Sequence, residues 1–196
     1  MEISEEHYDD STTINETDKK INITGTSSRY QIKKATYKLE NNKERIDIKK
    51  LKFLDDYFIY ENQLALLEKI YNDLPNINLN HINVVKQIEK KTYGYKQQDI
   101  EKKIFNCVKH INLNLIINKL IECNLTCYYC FCKMRLLYKI VRDPKQWTLD
   151  RIDNDYGHND DNIVLSCLEC NLKRRRTNQN KFVFTKQLKI NRIETE

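Results

Sequence analysis

Two Cys-x2-Cys pairs, Cys127-Tyr-Tyr-Cys130 and Cys167-Leu-Glu-Cys170, constrain this chain more than any other feature. Two residues between thiolates let a tight turn aim both sulfurs at one ion, and two such turns complete a tetrahedron. Zn2+ is the ion that four sulfurs favour, and a site closed by four thiolates holds a structural metal. The 36 residues between the pairs would then be stapled into a unit with little core of its own. Cys123 and Cys132 flank the first pair, so Cys130 with Cys132 is an alternative, although Cys-x-Cys makes a poorer knuckle.

Seven cysteines are an odd number, which suits reduced thiols in an intracellular protein better than a closed disulfide set. The opening Met1–Glu6 has neither the basic nor the apolar region of a secretion signal. No stretch approaches the roughly 18 apolar residues of a membrane span. The expectation is a protein that is neither secreted nor membrane-bound.

Charge is unevenly spread along the 196 residues. Residues 1–18 carry seven acids and no Lys or Arg, so a net charge of +6 overall becomes +13 for the remainder. Residues 1–28 read as an acidic disordered tail. The basic body is compatible with a polyanionic partner, or equally with a solvated lysine-rich surface.

Residues 29–120 read as a helical N-terminal region. Leu64, Leu67, Ile70, Tyr71 and Leu74 recur at helical spacing until Pro75. Asn80 is expected to cap a helix through Ile82, Val85 and Ile88 that ends before Thr92-Tyr-Gly-Tyr95. Ile100, Ile104, Cys107 and Val108 suggest another, with Cys107 as a small core residue. Asn114 is expected to cap an apolar helix leading towards Cys127. Glycine-rich phosphate loops, a nucleophile-elbow serine and a paired-histidine zinc helix are all missing.

Between the cysteine pairs, Gln146–Ile152 alternates as a strand, and Asn162–Ser166 is a second. Asn154, Asp155, Gly157, His158 and Asn159 have the chemistry of a connecting loop. The result is a long-looped hairpin running directly into the second knuckle, followed by Asn171 and the basic run Lys173, Arg174, Arg175 and Arg176, placed on a helix. A basic run there can clamp phosphates; by itself it would be a solvated helix end.

Taken together, Cys127-x2-Cys130, Leu149-Asp-Arg-Ile-Asp-Asn154, Gly157-His158, Asn162-Ile-Val-Leu-Ser-Cys167 and Cys170-Asn171-Leu-Lys-Arg174 resemble an HNH endonuclease, a ββα-metal nuclease. The likeness covers about residues 121–178, and is strongest to the Asp-Arg-Ile-Asp variants associated with phages and large DNA viruses. It implies one catalytic divalent ion, Mg2+ or Mn2+, held by Asp150 and Asn171, with Asn162 as the residue that ties the hairpin loop in place. Both are hard oxygen ligands, which suits such an ion. Taken singly, Asp150 is an ordinary strand-end acid and Asn171 an ordinary helix cap.

The chain departs from the family beside the metal position. The usual histidine base is replaced by Arg151, which stays protonated and can only bind or stabilise a phosphate. His158, Asp153 or a metal-bound hydroxide remain as proton acceptors.

The expectation is an α+β protein: the tail, the helical region, a zinc-stabilised ββα-metal module at residues 121–180, and a C-terminal tail at 181–196. Its expected function is metal-dependent hydrolysis of DNA phosphodiester bonds. The alternative is a zinc-dependent DNA- or RNA-binding regulatory module without catalysis.

Overall fold

The computed structural model describes residues 43–72 and 79–188. Strands β1 (Trp147–Arg151) and β2 (Ile163–Cys167) pair antiparallel, with Trp147 opposite Cys167 and Arg151 opposite Ile163. Among the described residues six α-helices accompany them: α1 (Ile46–Leu51), α2 (Tyr60–Asn72), α3 (Leu79–Glu101), α4 (Leu113–Glu122), α5 (Leu168–Arg174) and α6 (Gln179–Gln187). The class is α+β, built on a two-stranded sheet. No helix among the described residues is long and apolar enough to cross a membrane. The expected tails, residues 1–28 and 189–196, lie outside the described residues, as does Leu74 with Pro75.

A two-stranded ribbon is marginal alone and needs other elements against its faces and edges. Helix α5 follows β2 without a loop, and α3 runs beside β1. All five residues of β1 are buried, so its pattern is not that of a strand with one face in water. One core cluster extends from Ile48 through Leu67, Ile88, Ile117 and Trp147 to Phe182. The described residues all fall within one compact unit.

Helix α3 departs most from the expected helices. It continues through Thr92–Tyr95 as a single 23-residue element. Glycine inside a helix costs about 1 kcal/mol relative to alanine, but Val84, Ile88, Tyr95 and Asp99 are all buried and recur at helical spacing. Burial of that stripe outweighs one weak position.

The next expected helix, through Ile104, Cys107 and Val108, does not form. Lys103 turns into the left-handed region at φ 59°, and Cys107 is exposed rather than in the core. Val108 is 88% exposed. At the start of α4 the cap is Asn112, not Asn114: its side chain accepts from the Leu115 N–H at 3.0 Å.

The stretch after α3 straps the hairpin loop. Ile111 N donates to His158 O at 3.0 Å, and Asp160 N to Lys109 O at 3.1 Å. Gly157 is where loop and helix meet most closely. A Cβ there would lie 2.8 Å from Asp99 Oδ2 and 2.8 Å from the backbone oxygen of Ile104. Gly157→Ala should therefore push the loop off α3 and destabilise the protein by about 1–3 kcal/mol, read as a lower urea midpoint. An unchanged midpoint would show that the loop does not seat on the helix.

Candidate functional site

The first cysteine knuckle is a turn locked by its own backbone. Phe131 N donates to Cys127 O at 3.0 Å and Cys127 N to Cys132 O at 3.0 Å, with Phe131 at φ 56°. Tyr128 N donates to Leu165 O at 2.9 Å, which fixes the knuckle to β2. The second knuckle is the strand-to-helix junction, where Cys167 Sγ accepts from Cys170 N at 3.4 Å and caps α5.

These turns bring Cys127, Cys130, Cys132 and Cys167 together, with all four sulfurs within 4.8 Å of one another. Four sulfurs at 2.3 Å from a tetrahedral ion stand about 3.8 Å apart, and Cys130 Sγ lies 3.8 Å from Cys167 Sγ. The residues fit Zn2+. Cys170 borders the same group, because Cys167 and Cys170 both hydrogen-bond the Cys127 sulfur and hold it far below the usual thiol pKa. Cys167 is pushed up to about 11, chiefly through its hydrogen bond with Cys127. Desolvation raises Cys132. Cys132 thus joins the mutually closest four, where the knuckle pattern puts Cys170.

The cysteine group connects to Asp150 through one tyrosine. Tyr129, inside the first knuckle, is buried and donates its hydroxyl to Asp150 Oδ2 at 2.6 Å. Phe182 of α6 packs edge-on against that ring, with centroids 4.9 Å apart. Nothing in the periodicity or spacing of the sequence marks Tyr129 for this role.

Asp150 is not available as expected. Arg174 donates from Nε to Asp150 Oδ2 at 2.6 Å and from an Nη to Oδ1 at 3.2 Å, and also to the backbone oxygen of Arg151. Both side chains are almost completely buried. A two-pronged guanidinium already supplies the positive charge that a cation would bring. A divalent ion at Asp150 therefore does not fit this arrangement without displacing Arg174. Asn171 donates from its side-chain nitrogen to Thr148 Oγ1 and Leu149 O, both at 3.1 Å. It secures β1, and its amide oxygen is the end left for the cleft that Asn171 lines.

Arg174, expected among the phosphate-binding cations, is instead the buried partner of Asp150. Helix α5 ends there, because Arg175 takes φ 53°. The four basic residues therefore do not share one helix. Lys173 pairs with Glu169 at 2.5 Å across one turn, while Arg175 and Arg176 lie exposed beyond the helix.

Asn162 ties the hairpin loop. Its side-chain nitrogen donates to Asp153 O at 2.9 Å and Gly157 O at 3.0 Å, and its oxygen accepts from Asp153 N at 2.9 Å. His158 is held by a residue outside the hairpin. Buried Asp99 on α3 accepts from the His158 backbone N–H at 2.6 Å and from ring Nδ1 at 2.7 Å. An ionised carboxylate only accepts, so Nδ1 carries the proton and Nε2 is the acceptor. Burial pushes the His158 pKa down to about 4, against the opposing pull of Asp99. Arg151 also faces Asp99, at 4.0 Å, and donates to Tyr156 O at 3.4 Å.

Asp150, Arg151, His158 and Asn171 border one open cleft of about 1170 Å3, lined further by Tyr95, Gln98 and Lys102 from the α3 side. The sequence offered no signal for Asp99, whose partners His158 and Arg151 lie more than fifty residues away. Comparison of the chain with protein-family models, with curated proteins and with solved structures finds no match.

About one zinc per chain is expected by metal analysis. Cys127→Ser and Cys167→Ser, common to both ligand sets, should each lose it. Of Cys132→Ser and Cys170→Ser only one should do so, which identifies the fourth ligand. Full zinc in all four variants would exclude the site. Acid should also weaken the fold. His158 has a folded pKa below its unfolded value of roughly 6.5, so the unfolded chain binds more protons between them. Its contribution is complete above about pH 6.5 and is lost as pH falls towards 4. Desolvated His110 acts in the same sense. Urea midpoints should drop through that window, and less steeply in His158→Asn; identical slopes would contradict the assignment.

Proposed function

We propose that this protein binds DNA in the cleft beside β1 and hydrolyses its phosphodiester bonds, as an endonuclease of the HNH type. The observation that carries the reading is the convergence of Asp150, Arg151, His158 and Asn171 on one basic cleft in a hairpin-helix unit with a zinc-competent cysteine group. Neutral His158 presents Nε2 as the proton acceptor for attacking water, and Asp99 fixes that tautomer. Arg151 cannot serve as base and supplies positive charge to the phosphate. Lys173, Arg175 and Arg176 hold the flanking backbone. Mg2+ or Mn2+ is the cofactor that the resemblance implies. The buried Asp150–Arg174 pair speaks against such an ion in the arrangement described.

That pair, with Arg151 in place of a histidine, favours a second reading: a zinc-dependent DNA- or RNA-binding module without catalysis. Incubation of the full chain with supercoiled plasmid, with and without Mg2+ or Mn2+, separates the two. The first reading expects nicked or linear product, and the second expects bound but intact plasmid. His158→Ala should lower cleavage by roughly 10²–10⁴-fold. Asp150→Asn keeps the side-chain volume but, like alanine, leaves buried Arg174 without its counter-charge at a cost of about 3–5 kcal/mol, so urea midpoints accompany the cleavage assay. Wild-type cleavage by both variants would defeat the enzymatic assignment.

A further inference from the structure

Helix α3 and the residues that end it line the same cleft as Arg175 and Arg176 of the C-terminal basic run. Lys102 follows α3 directly and keeps its last turn, with Lys102 N donating to Gln98 O at 3.1 Å. Lys103 then reverses the chain, and Ile104 N closes the turn on Asp99 O at 3.0 Å. Lys102 is therefore an exposed lysine on a fixed backbone, and its side chain lines the same cleft as Arg175 and Arg176. The bland account is a lysine complementing a helix C-terminus, where cations are favoured. That account leaves the other cations unexplained. Desolvation pushes the Lys102 pKa down, and the charges of Arg151 and Arg176 act in the same sense against the pull of Asp99.

The carboxylates nearby do not neutralise this cluster. Asp99 also acts on Lys102, but it is buried and spends its oxygens on His158. Asp150 is taken by Arg174. Asp153 and Asp155 also line the cleft and offset part of this charge, but Lys102, Arg151, Arg174, Arg175 and Arg176 outnumber them together with Asp150. Cations in excess of acids along one cleft repel one another unless an anion lies between them. The cleft exceeds the roughly 300–1,000 Å3 of a small-molecule pocket, which suits a length of polymer.

We propose that α3 supplies the second wall of a nucleic-acid groove, with Lys102 contacting a DNA backbone phosphate across from Arg175 and Arg176. This rests on the DNA-binding part of the proposed function and is independent of cleavage. The helical region is then part of the substrate site and not only a scaffold.

The test is the salt dependence of binding of the full chain to a fluorescent double-stranded DNA oligomer, by anisotropy, without added divalent ion. Each phosphate contact contributes about 0.9 to the slope of log affinity against log salt. Lys102→Ala should flatten the slope by about 1, and Lys102→Ala with Arg176→Ala by about 2. Lys49→Ala, an exposed lysine that does not line the cleft, should leave it unchanged. If Arg176→Ala flattens the slope and Lys102→Ala does not, the α3 wall is excluded while DNA binding stands. If Lys49→Ala flattens it as much as Lys102→Ala, the groove is overturned in favour of diffuse attraction. If the wild-type chain shows no salt-dependent binding, the DNA reading itself fails, and this inference with it.

Discussion

The outer edge of β1 is the constraint on which the rest of the structure depends. In a two-stranded sheet each strand has one edge without a ladder partner, and buried backbone groups there must find other bonds. Side chains provide them. The Leu149 N–H donates to Tyr95 Oη at 3.1 Å, Leu149 O accepts from Asn171, and Trp147 O accepts from Lys91. Lys91, Tyr95 and Asp99 stand at successive turns of α3, so one helix stripe secures β1 and then the hairpin loop. Lys91 also lies over the Trp147 ring, 4.6 Å from its centroid. A helix broken at Gly94 could not keep those three residues in line.

This explains why the helical segments and the cysteine-bearing hairpin form one unit. The hairpin lacks the area for a core of its own, since small units need staples or neighbours. The cysteine group holds one end of the ribbon and α3 holds one edge. Tyr129 joins the two systems, because the residue that fills the first knuckle also hydrogen-bonds Asp150 on β1. Any disturbance of the cysteine group would therefore reach the carboxylate as well as the knuckles.

The hairpin itself was legible in the sequence. Alternation over Gln146–Ile152 and the β-branched run before Cys167 located both strands to within a residue or so, and Asn162 occupies the loop-tying place that the resemblance implies. Periodicity around Leu67 and Ile70 likewise located α2. Three readings failed for a shared reason: local signals were overruled by tertiary partners. Thr92-Tyr-Gly-Tyr95 looked like a helix end, yet Tyr95 and Asp99 have partners on β1 and the hairpin loop. Cys107 and Val108 looked apolar enough for a core, but Lys103 turns the chain away. Arg174 looked like one of four equivalent cations, and only the fold reveals that it faces a buried carboxylate.

The charges around β1 sort into two kinds, which also accounts for Arg151. Inside, Asp150 is balanced by Arg174, and Asp99 is surrounded by His158, Arg151 and His110, the last at 3.8 Å. Buried acids without such partners would be costly or would take up protons. Arg151 thus has a structural reason to be an arginine: a neutral histidine there would leave Asp99 with hydrogen bonds but no permanent positive charge beside it. Outside, Lys102, Arg175 and Arg176 line the cleft and outnumber the acids Asp153 and Asp155 there. The fold consumes the charges that a metal-centred site would need and leaves exposed those that a phosphate backbone would meet. Asp150, held by Tyr129 and Arg174, is a structural carboxylate in this arrangement, and the exposed cations of the cleft are the charges that the fold leaves unused.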